Sequence, residues 1–290
     1  MGAGVQILFG VWLFAVGAVV GSFLNVCIYR LPEGGSLWRP GSHCPQCKHP
    51  IRWYDNIPIL SYLLLRGRCR DCGARISPQY LIVEALTGAL FAFLAVIFIS
   101  RGEPVSCTII YLVLVCALVV ASFIDLKHMI IPDEVTISGL ILAPIVSLAF
   151  PDLQQFQLEA AGVHAEAILA NARLNALAHS LIGMAVGAGF IYLVGLLGKL
   201  LFRKEAMGLG DVKFMGMIGG FFGWKLVMLT NLIAPVYGAV FGLVLLAVKG
   251  EHHIPYGPFL SLSAVTVMIW APQMMAWIYQ HYLPLYHISV

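Results

Sequence analysis

Charged side chains are scarce in this chain. Its 290 residues include 17 Lys or Arg and 14 Asp or Glu, so only 11% are charged while 60% are hydrophobic. Soluble globular domains carry about 25% charged residues. The scarcity therefore excludes a soluble protein and indicates a chain that crosses a membrane several times.

Three further absences narrow the classes of function. No basic stretch precedes the first apolar run, 5–27, which is long enough to span a bilayer, so we expect a membrane helix there and no cleavable signal peptide. No G-x-G-x-x-G string follows a strand pattern, so we expect no Rossmann-type cofactor site. No internal repeat is evident either.

The apolar runs predict an all-α polytopic membrane protein with about eight transmembrane helices. The runs lie at 5–27, 79–99, 107–124, 135–150, 178–202, 226–248 and 258–282, with a shorter glycine-rich segment at 212–223. With the N-terminus outside, fourteen Lys and Arg face inward and three outward, which is a positive-inside pattern. Both termini are then outside and the polar loops are cytoplasmic. Without 212–223 as a crossing, the C-terminus would lie inside.

Residues 28–78 form the one sizeable polar segment, too small for a large hydrophobic core. It contains Cys44-Pro-Gln-Cys47 and Cys69-Arg-Asp-Cys72, two C-x2-C pairs 21 residues apart. Four thiolates at this spacing predict a closed, structural zinc site. Two disulfides or a redox-active dithiol are the alternatives, and a cytoplasmic location disfavours stable disulfides. A second polar stretch, 151–177, suggests a helix along the outer membrane surface.

Two aspartates at the inner ends of apolar runs are candidate catalytic residues. Asp125 ends the run 111–124, and Asp211 lies in the string Gly208-Leu-Gly-Asp-Val-Lys213. An ionisable group at membrane depth is costly and is a functional-site hypothesis by default. Two that meet suggest an aspartyl pair, one protonated and one ionised, that activates water against a peptide bond.

The ordinary alternative for either aspartate is to cap a helix or to pair with Lys127 or Lys213. Asp133, which follows Pro132 at the start of a span, is expected to cap its helix.

Many strings of the chain, taken in order, resemble the prepilin peptidases, the aspartic membrane proteases of type IV pilus and type II secretion systems. Besides the two cysteine pairs and the two aspartate strings, they are Gly21-Ser-Phe-Leu-Asn-Val-Cys-Ile-Tyr-Arg-Leu-Pro32, Trp53-Tyr-Asp-Asn-Ile-Pro-Ile-Leu-Ser61, Arg66-Gly-Arg-Cys-Arg70, Ile76-Ser-Pro-Gln-Tyr80 with Glu84, and Ile254-Pro-Tyr-Gly-Pro-Phe259. Leu209 and Tyr256 depart from the residues that relatives often carry.

The resemblance implies two activities. The enzyme removes the basic leader of prepilins and pseudopilins after a glycine, on the cytoplasmic side of the bacterial inner membrane. It then N-methylates the new N-terminus with S-adenosylmethionine. By position, Asp125 and Asp211 are the catalytic pair, while Asn25, Glu84 and the 28–78 loop are candidates for cofactor binding.

The resemblance also implies a division of the chain and a set of partners. Residues 1–27 are a first helix, 28–78 a zinc-binding domain associated with methyl transfer, and 79–290 the peptidase domain. The expected partners are the pilin precursors and the lipid bilayer, with no nucleic acid.

Two other classes compete with this interpretation. A transporter or channel would use both aspartates as proton or cation ligands, and a membrane thiol oxidoreductase would use the cysteine pairs as redox centres. The absence of inverted repeats weighs against the first, and inward-facing cysteines weigh against the second.

Overall fold

In the part of the chain that the computed structural model describes, all the regular secondary structure is helical. The described ranges are 3–154, 168–202, 207–249 and 255–282. Within them no β-strand occurs, and the only extended pairings are isolated bridges in the polar loop, His43 with Pro50 and Arg68 with Arg75. The predicted all-α class is confirmed.

Eight α-helices and two short 3-10 helices make up the described chain. The α-helices are α1 Ala3–Arg30, α2 Leu60–Leu64, α3 Gln79–Ser100, α4 Val105–His128, α5 Asp133–Ala149, α6 Ala172–Phe202, α7 Leu209–Lys249 and α8 Gly257–Tyr282, and the 3-10 helices are Leu31–Glu33 and Trp53–Asn56. The chain divides into two compact units, Met1–Ile124 and Asp125–Val290.

Among the described residues, six helices are long and apolar enough to cross a membrane: α1, α3, α4, α6, α7 and α8. α7 has 41 residues, about 60 Å of helix, which is twice the roughly 30 Å of a bilayer's hydrocarbon core. α5 has 17 residues and is also apolar. With α5 added and α7 counted as two arms, the helical segments agree with the predicted number of about eight.

α7 reverses its direction at Gly223, where the backbone leaves helical geometry with φ 73°. Met215 before the glycine and Val227 after it lie about 18 Å apart in a straight helix. Yet a Cβ placed on Gly187 of α6 would collide with the Met215 carbonyl oxygen and lie 3.0 Å from Val227 Cγ2. The glycine-rich segment ending at Gly223 is therefore a separate arm, as the eight-segment prediction requires.

The carbonyl of Gly220 lies in the last turn before the reversal, where helical carbonyls commonly need other donors. Gln154 Nε2 and Ser180 Oγ donate to this oxygen at 2.9 and 2.8 Å. Both side chains are buried. Two polar groups inside an apolar bundle thus satisfy the end of the first arm and fix the position of the turn.

Glycines let the helices of the first unit pack closely. A Cβ on Gly21 of α1 would lie 2.8 Å from the Cα of Glu84 in α3, and one on Gly17 would lie 2.9 Å from the Cα of Gly88. Small residues at such contacts let membrane helices approach backbone to backbone. α1 and α3 therefore form one rigid pair from which the polar loop extends.

Two predictions need comment. Asp133 does not cap α5: the N-cap is Pro132, no side-chain cap hydrogen bond forms, and the Asp133 carboxylate pairs with Lys213 Nζ at 2.6 Å instead. The helix begins one residue earlier than expected, which places Asp133 inside its first turn. Of the predicted surface helix at 151–177, residues 155–167 lie outside the described residues; Leu153 and Gln154 at its start are buried, and from Ala172 onward the chain already belongs to α6.

Candidate active site and metal centre

Asp125 lies in the last turn of α4 and is 5% exposed. Its Oδ2 accepts a hydrogen bond of 2.8 Å from the main-chain N–H of Gly257, the first residue of α8. A Cβ on Gly257 would lie only 2.7 Å from the same oxygen. The contact therefore requires glycine at this position, since any side chain would push the carboxylate away.

Asp211 lies in the first turn of α7 and is half-buried. Its Oδ2 accepts a hydrogen bond of 3.2 Å from the N–H of Gly208, three residues earlier. A side chain in the first turn that reaches back to the N–H before the helix is one half of a capping box. Helix capping thus explains the position of one carboxylate oxygen of Asp211, Oδ2. The other oxygen takes no part in that contact.

The two aspartates lie against one dipeptide, Tyr256-Gly257. Gly257 binds Asp125 directly, and the charge of Asp211 acts on its neighbour Tyr256. The charge of Asp125 also acts on Asp211. The structure therefore brings together the two carboxylates that the sequence singled out, and it places a main-chain N–H donor at each.

Lys213 does not neutralise Asp211, although it is only two residues away. Its Nζ pairs with Asp133 Oδ1 across to α5 at 2.6 Å. Both members of this pair are more than a third exposed, so the interaction adds little stability. Its effect on the site is to direct the lysine charge toward α5.

Sequence analysis missed the contribution of Tyr256 and Gly257. From the residues alone, their string indicates only a turn before the last span. The signal that marks them is a glycine at the first position of a helix, where helix formation does not require glycine. Its reason is the close approach of Asp125.

The four cysteines of the polar loop form one cluster. Their Sγ atoms all lie within 4.8 Å of one another, and Cys44 Sγ and Cys72 Sγ are 3.9 Å apart. All seven cysteines of the chain are free thiols, so the alternative of two disulfides is not what the loop forms here. The predicted convergence of these residues is confirmed.

The two C-x2-C pairs adopt the same backbone turn. Cys44 N–H donates to the carbonyl five residues later at 3.0 Å, and Cys69 N–H does the same at 2.8 Å. Each first cysteine accepts in return from the N–H four residues later, at 2.9 Å in both turns. That fourth residue has positive φ in each case, Lys48 at 59° and Gly73 at 72°. The loop is therefore two equivalent turns that face each other.

This donor set fits a tetrahedral metal ion with thiolate ligands. Zn–S bonds of about 2.3 Å put tetrahedral sulfur atoms roughly 3.8 Å apart, close to the spacing of Cys44 and Cys72. The main-chain N–H of Cys47 donates to Cys44 and lowers the pKa of its thiol to about 7. The thiolate that a metal requires is thus already favoured at one corner of the cluster.

Side chains between the cysteines attach the second turn to the 3-10 helix Trp53–Asn56. Arg70 donates to both carboxylate oxygens of Asp55, with Nη2–Oδ1 at 2.6 Å and Nε–Oδ2 at 2.9 Å. These bonds hold the pKa of Asp55 below its usual value. A second ion pair joins the same two regions. Arg52 Nη2, directly before the 3-10 helix, lies 3.5 Å from Asp71 Oδ1 in the second turn. Charge pairing therefore orders a loop that has almost no hydrophobic core.

Asn25 and Glu84, the weak candidates for cofactor binding, both contact the main chain. Asn25 Nδ2 donates to the carbonyl of Tyr80 at 3.1 Å, and Glu84 Oε2 accepts from the N–H of Ile59 at 2.8 Å. Ile59 has positive φ, 63°, so the backbone is strained where Glu84 holds it. Both residues are buried. Asn25 connects α1 to the start of α3, and Glu84 connects α3 to the polar loop.

The chain is similar to two family models and to a group of curated bacterial proteins. The bacterial peptidase A24 N-terminal domain matches residues 15–98, and the type IV leader peptidase family matches residues 112–243. A prepilin leader peptidase/N-methyltransferase of Myxococcus xanthus is 40% identical over 84% of this chain, which spans 65% of that relative's length.

Other relatives match over nearly their whole length. The prepilin leader peptidase/N-methyltransferase of Aeromonas hydrophila is 33% identical over 93% of this chain and 94% of its own length. That of Stutzerimonas stutzeri is 33% identical over 90% of each chain. No solved structure matches.

Proposed function

The chain belongs to the type IV leader peptidase family, and on this premise we propose that it removes the basic leader of prepilins and pseudopilins and then N-methylates the new N-terminal residue. Its relatives carry both activities in their names. The observation on which the peptidase half depends is the convergence of Asp125 and Asp211 on the dipeptide Tyr256-Gly257.

In the proposed hydrolysis the two aspartates share one proton, because like charges at short distance do not both ionise readily. The ionised carboxylate takes a proton from water, whose oxygen adds to the scissile carbonyl carbon. The protonated carboxyl gives its proton to the leaving amine as the C–N bond breaks. A coupled pair titrates as a unit, so the two roles are assigned to the pair as a whole.

The helix termini around the pair support this role. Gly208 and Gly257 each direct a main-chain N–H at one carboxylate oxygen, 3.2 Å from Asp211 and 2.8 Å from Asp125. Each aspartate is therefore fixed through one oxygen. The second carboxylate oxygen of each aspartate, Oδ1, is the one that exchanges protons with water and the peptide in this proposal.

The proposed reaction takes place at the cytoplasmic face of the bacterial inner membrane. The excess of Lys and Arg in the loops on the side of both aspartates supports this orientation, with both termini outside. The apolar segment of the substrate would lie between membrane helices, with its leader toward the cytoplasm.

We assign the methyl transfer to the part of the chain that contains the cysteine loop. S-adenosylmethionine, when bound, supplies the methyl group; Glu84 holds the loop to α3, and Asn25 holds α1, from which the loop begins, to the start of α3. Because both are already engaged by main-chain groups, their proposed role is to position the loop. Zinc held by Cys44, Cys47, Cys69 and Cys72 would cross-link the two turns.

The aspartyl pair is tested by Asp125→Asn and Asp211→Asn, at matched amounts of folded protein in detergent. Each variant should cleave a prepilin-type peptide more slowly by roughly a thousandfold or more, because an amide neither accepts nor shuttles the proton. The double variant should be no worse than either single one, since the two residues act together. Product mass measures cleavage.

Two controls accompany this test. Asp133→Asn should retain substantial cleavage, because it loses only an exposed ion pair with Lys213. Methylation of a peptide that already exposes an N-terminal phenylalanine should persist in all variants. Wild-type-like cleavage by either the Asp125 or the Asp211 variant would refute the assignment and make Asp133 the next residue to examine.

A further inference from the structure

The hydroxyl of Tyr256 is a polar group that the peptidase scheme above does not use. Its oxygen is buried and has no hydrogen-bond partner in the part of the chain that the structure describes. Leaving a hydroxyl buried and unpaired costs stability, and such groups are rare in folded proteins. An orphaned donor beside two candidate catalytic carboxylates therefore suggests a partner that arrives with the substrate.

The position of this hydroxyl is fixed by the residues around it. The Tyr256 carbonyl accepts hydrogen bonds from the N–H groups of Phe259 and Leu260 at 3.0 and 3.2 Å, so its backbone belongs to the start of α8. The ring lies against Gly238 of α7, where an added Cβ would be 3.6 Å from Cε2. The backbone and one edge of the ring are thus positioned before any substrate binds.

Both aspartates interact with the segment that contains Tyr256. The residue after it, Gly257, binds Asp125 at 2.8 Å, and Asp211 acts on Tyr256 itself. Burial, and then the charge of Asp211, raises the pKa of Tyr256 to about 12. The hydroxyl therefore keeps its proton at physiological pH and serves as a neutral donor, with no role as a base.

We propose that the Tyr256 hydroxyl donates a hydrogen bond to the carbonyl oxygen of the scissile peptide bond and stabilises the negative charge that develops there. A fixed donor at a developing oxyanion accelerates acyl transfer because it needs no reorganisation during the reaction. This inference rests on the proposed peptidase function. It makes Tyr256 a third catalytic residue in contact with substrate.

The proton balance of the reaction is unchanged by this role. The proton from water goes to the ionised aspartate, and the proton of the other aspartate goes to the leaving amine. The Tyr256 proton stays on its oxygen throughout. The hydrogen bond is stronger to the tetrahedral oxyanion than to the neutral carbonyl, so its contribution falls on kcat more than on KM.

The test compares Tyr256→Phe with the matched variant Tyr237→Phe. Both remove one hydroxyl and keep the ring, but Tyr237 already has a partner, Thr266 Oγ1 at 2.9 Å. We expect Tyr256→Phe to lower kcat for prepilin-peptide cleavage by about tenfold, the value of one hydrogen bond. KM should change by less than about twofold, and Tm should stay the same or rise because an orphaned group is gone.

The control variant should behave in the opposite way. Tyr237→Phe should lower Tm, because it breaks an existing hydrogen bond, and should leave kcat near the wild-type value. Methylation of a peptide with an exposed N-terminal phenylalanine should be equal in both variants and the wild type. This readout reports an intact fold independently of the aspartyl site.

Three results would overturn the inference. One is a kcat for Tyr256→Phe within about twofold of wild type. Another is a parallel fall of kcat, Tm and methylation in this variant, which would indicate a structural hydroxyl. The third is a wild-type protein that does not cleave the peptide, which refutes the proposed peptidase function itself and is recognised before any variant is compared.

Discussion

Among the residues of the candidate site, Gly257 leaves no room for a side chain. Its N–H donates to Asp125, and a Cβ there would lie 2.7 Å from the carboxylate oxygen. Gly208 donates to Asp211 in the same manner. At Gly257 the missing Cβ is what allows this close approach, whereas a Cβ on Gly208 would be in ordinary contact with Asp211 Oδ2 at 3.6 Å. The candidate active site is therefore built from main-chain groups as much as from side chains.

Glu103, between α3 and α4, is a buried carboxyl group that neither proposed activity uses. It is 5% exposed, and neither carboxylate oxygen has a hydrogen-bond partner among the described residues. Burial raises the pKa of Glu103 from 4.5 to about 7, and the nearby Arg101 charge offsets only part of this effect. Ionising Glu103 therefore costs folding free energy.

We predict that Glu103→Gln stabilises the protein at pH 8 and has little effect near pH 4.5. Below pH 4.5 the Glu103 carboxyl is protonated in both the folded and the unfolded chain, so the wild type and the variant should be equally stable there. As pH rises toward 7 the unfolded chain loses the proton first, and wild-type stability falls. The rise in the pKa of Glu103 from 4.5 to about 7 corresponds to a loss of folding free energy of at most roughly 3 kcal/mol.

Thermal unfolding in detergent at both pH values measures this effect. Glu33→Gln, at an exposed position in the first 3-10 helix, is the control and should show no pH-dependent gain. A Glu103 variant that is equally stable or less stable than wild type at pH 8 contradicts the predicted cost of burial.

At the scale of elements, the two C-x2-C turns are equivalent in hydrogen bonding and depend on each other through their sulfur atoms. Each turn closes with only two main-chain bonds and carries one residue of positive φ. Neither buries an apolar face of any size. A shared metal ion is the interaction that would make the pair stable.

We therefore predict that Cys44→Ser or Cys72→Ser loses zinc and destabilises residues 28–78. Elemental analysis of purified protein should give one zinc per chain in wild type and a large loss in either variant. Methylation should fall more than cleavage, because both aspartates lie elsewhere in the chain. Cys116→Ser, in a membrane helix outside the cluster, should keep its zinc. Metal-free wild-type protein with an intact fold would refute the assignment.

The reversal of α7 at Gly223 is the other decisive element. One arm, Leu209 to Phe222, begins with the string that contains Asp211, and the other returns toward Gly238, against which Tyr256 packs. A continuous helix would carry its second half away from the first by about 1.5 Å per residue. The reversal instead returns the chain to the vicinity of its own beginning, where the candidate site lies.

At the scale of the whole molecule, the number of crossings decides the orientation of every loop. We predict that residue 60 is cytoplasmic and residue 165 is outside, with the C-terminus also outside. Single-cysteine labelling in intact cells with a membrane-impermeant reagent measures both positions. Because the native cysteines react as well, a background without accessible thiols is the control. Labelling of both positions from one side would contradict the eight-segment topology.

Much of this protein was predictable from its residues taken in order. Charge scarcity and apolar run lengths predicted the all-α membrane class, because the cost of burying charge in lipid constrains composition directly. The spacing of the four cysteines predicted their cluster, and the strings around Asp125 and Asp211 predicted the family. The catalytic roles and the boundary at residue 78 stay predictions.

Other features depended on contacts between segments distant along the chain. Asp133 pairs with Lys213, 80 residues away, so its expected capping role was wrong. Gly257 meets Asp125 across 132 residues, and no local pattern reveals that contact. The sequence by itself determined the all-α membrane class and the local turns, and it predicts the orientation from charge. Only the tertiary structure decided which glycine N–H faces each aspartate and where the Tyr256 hydroxyl lies, because those depend on how helices approach one another in space.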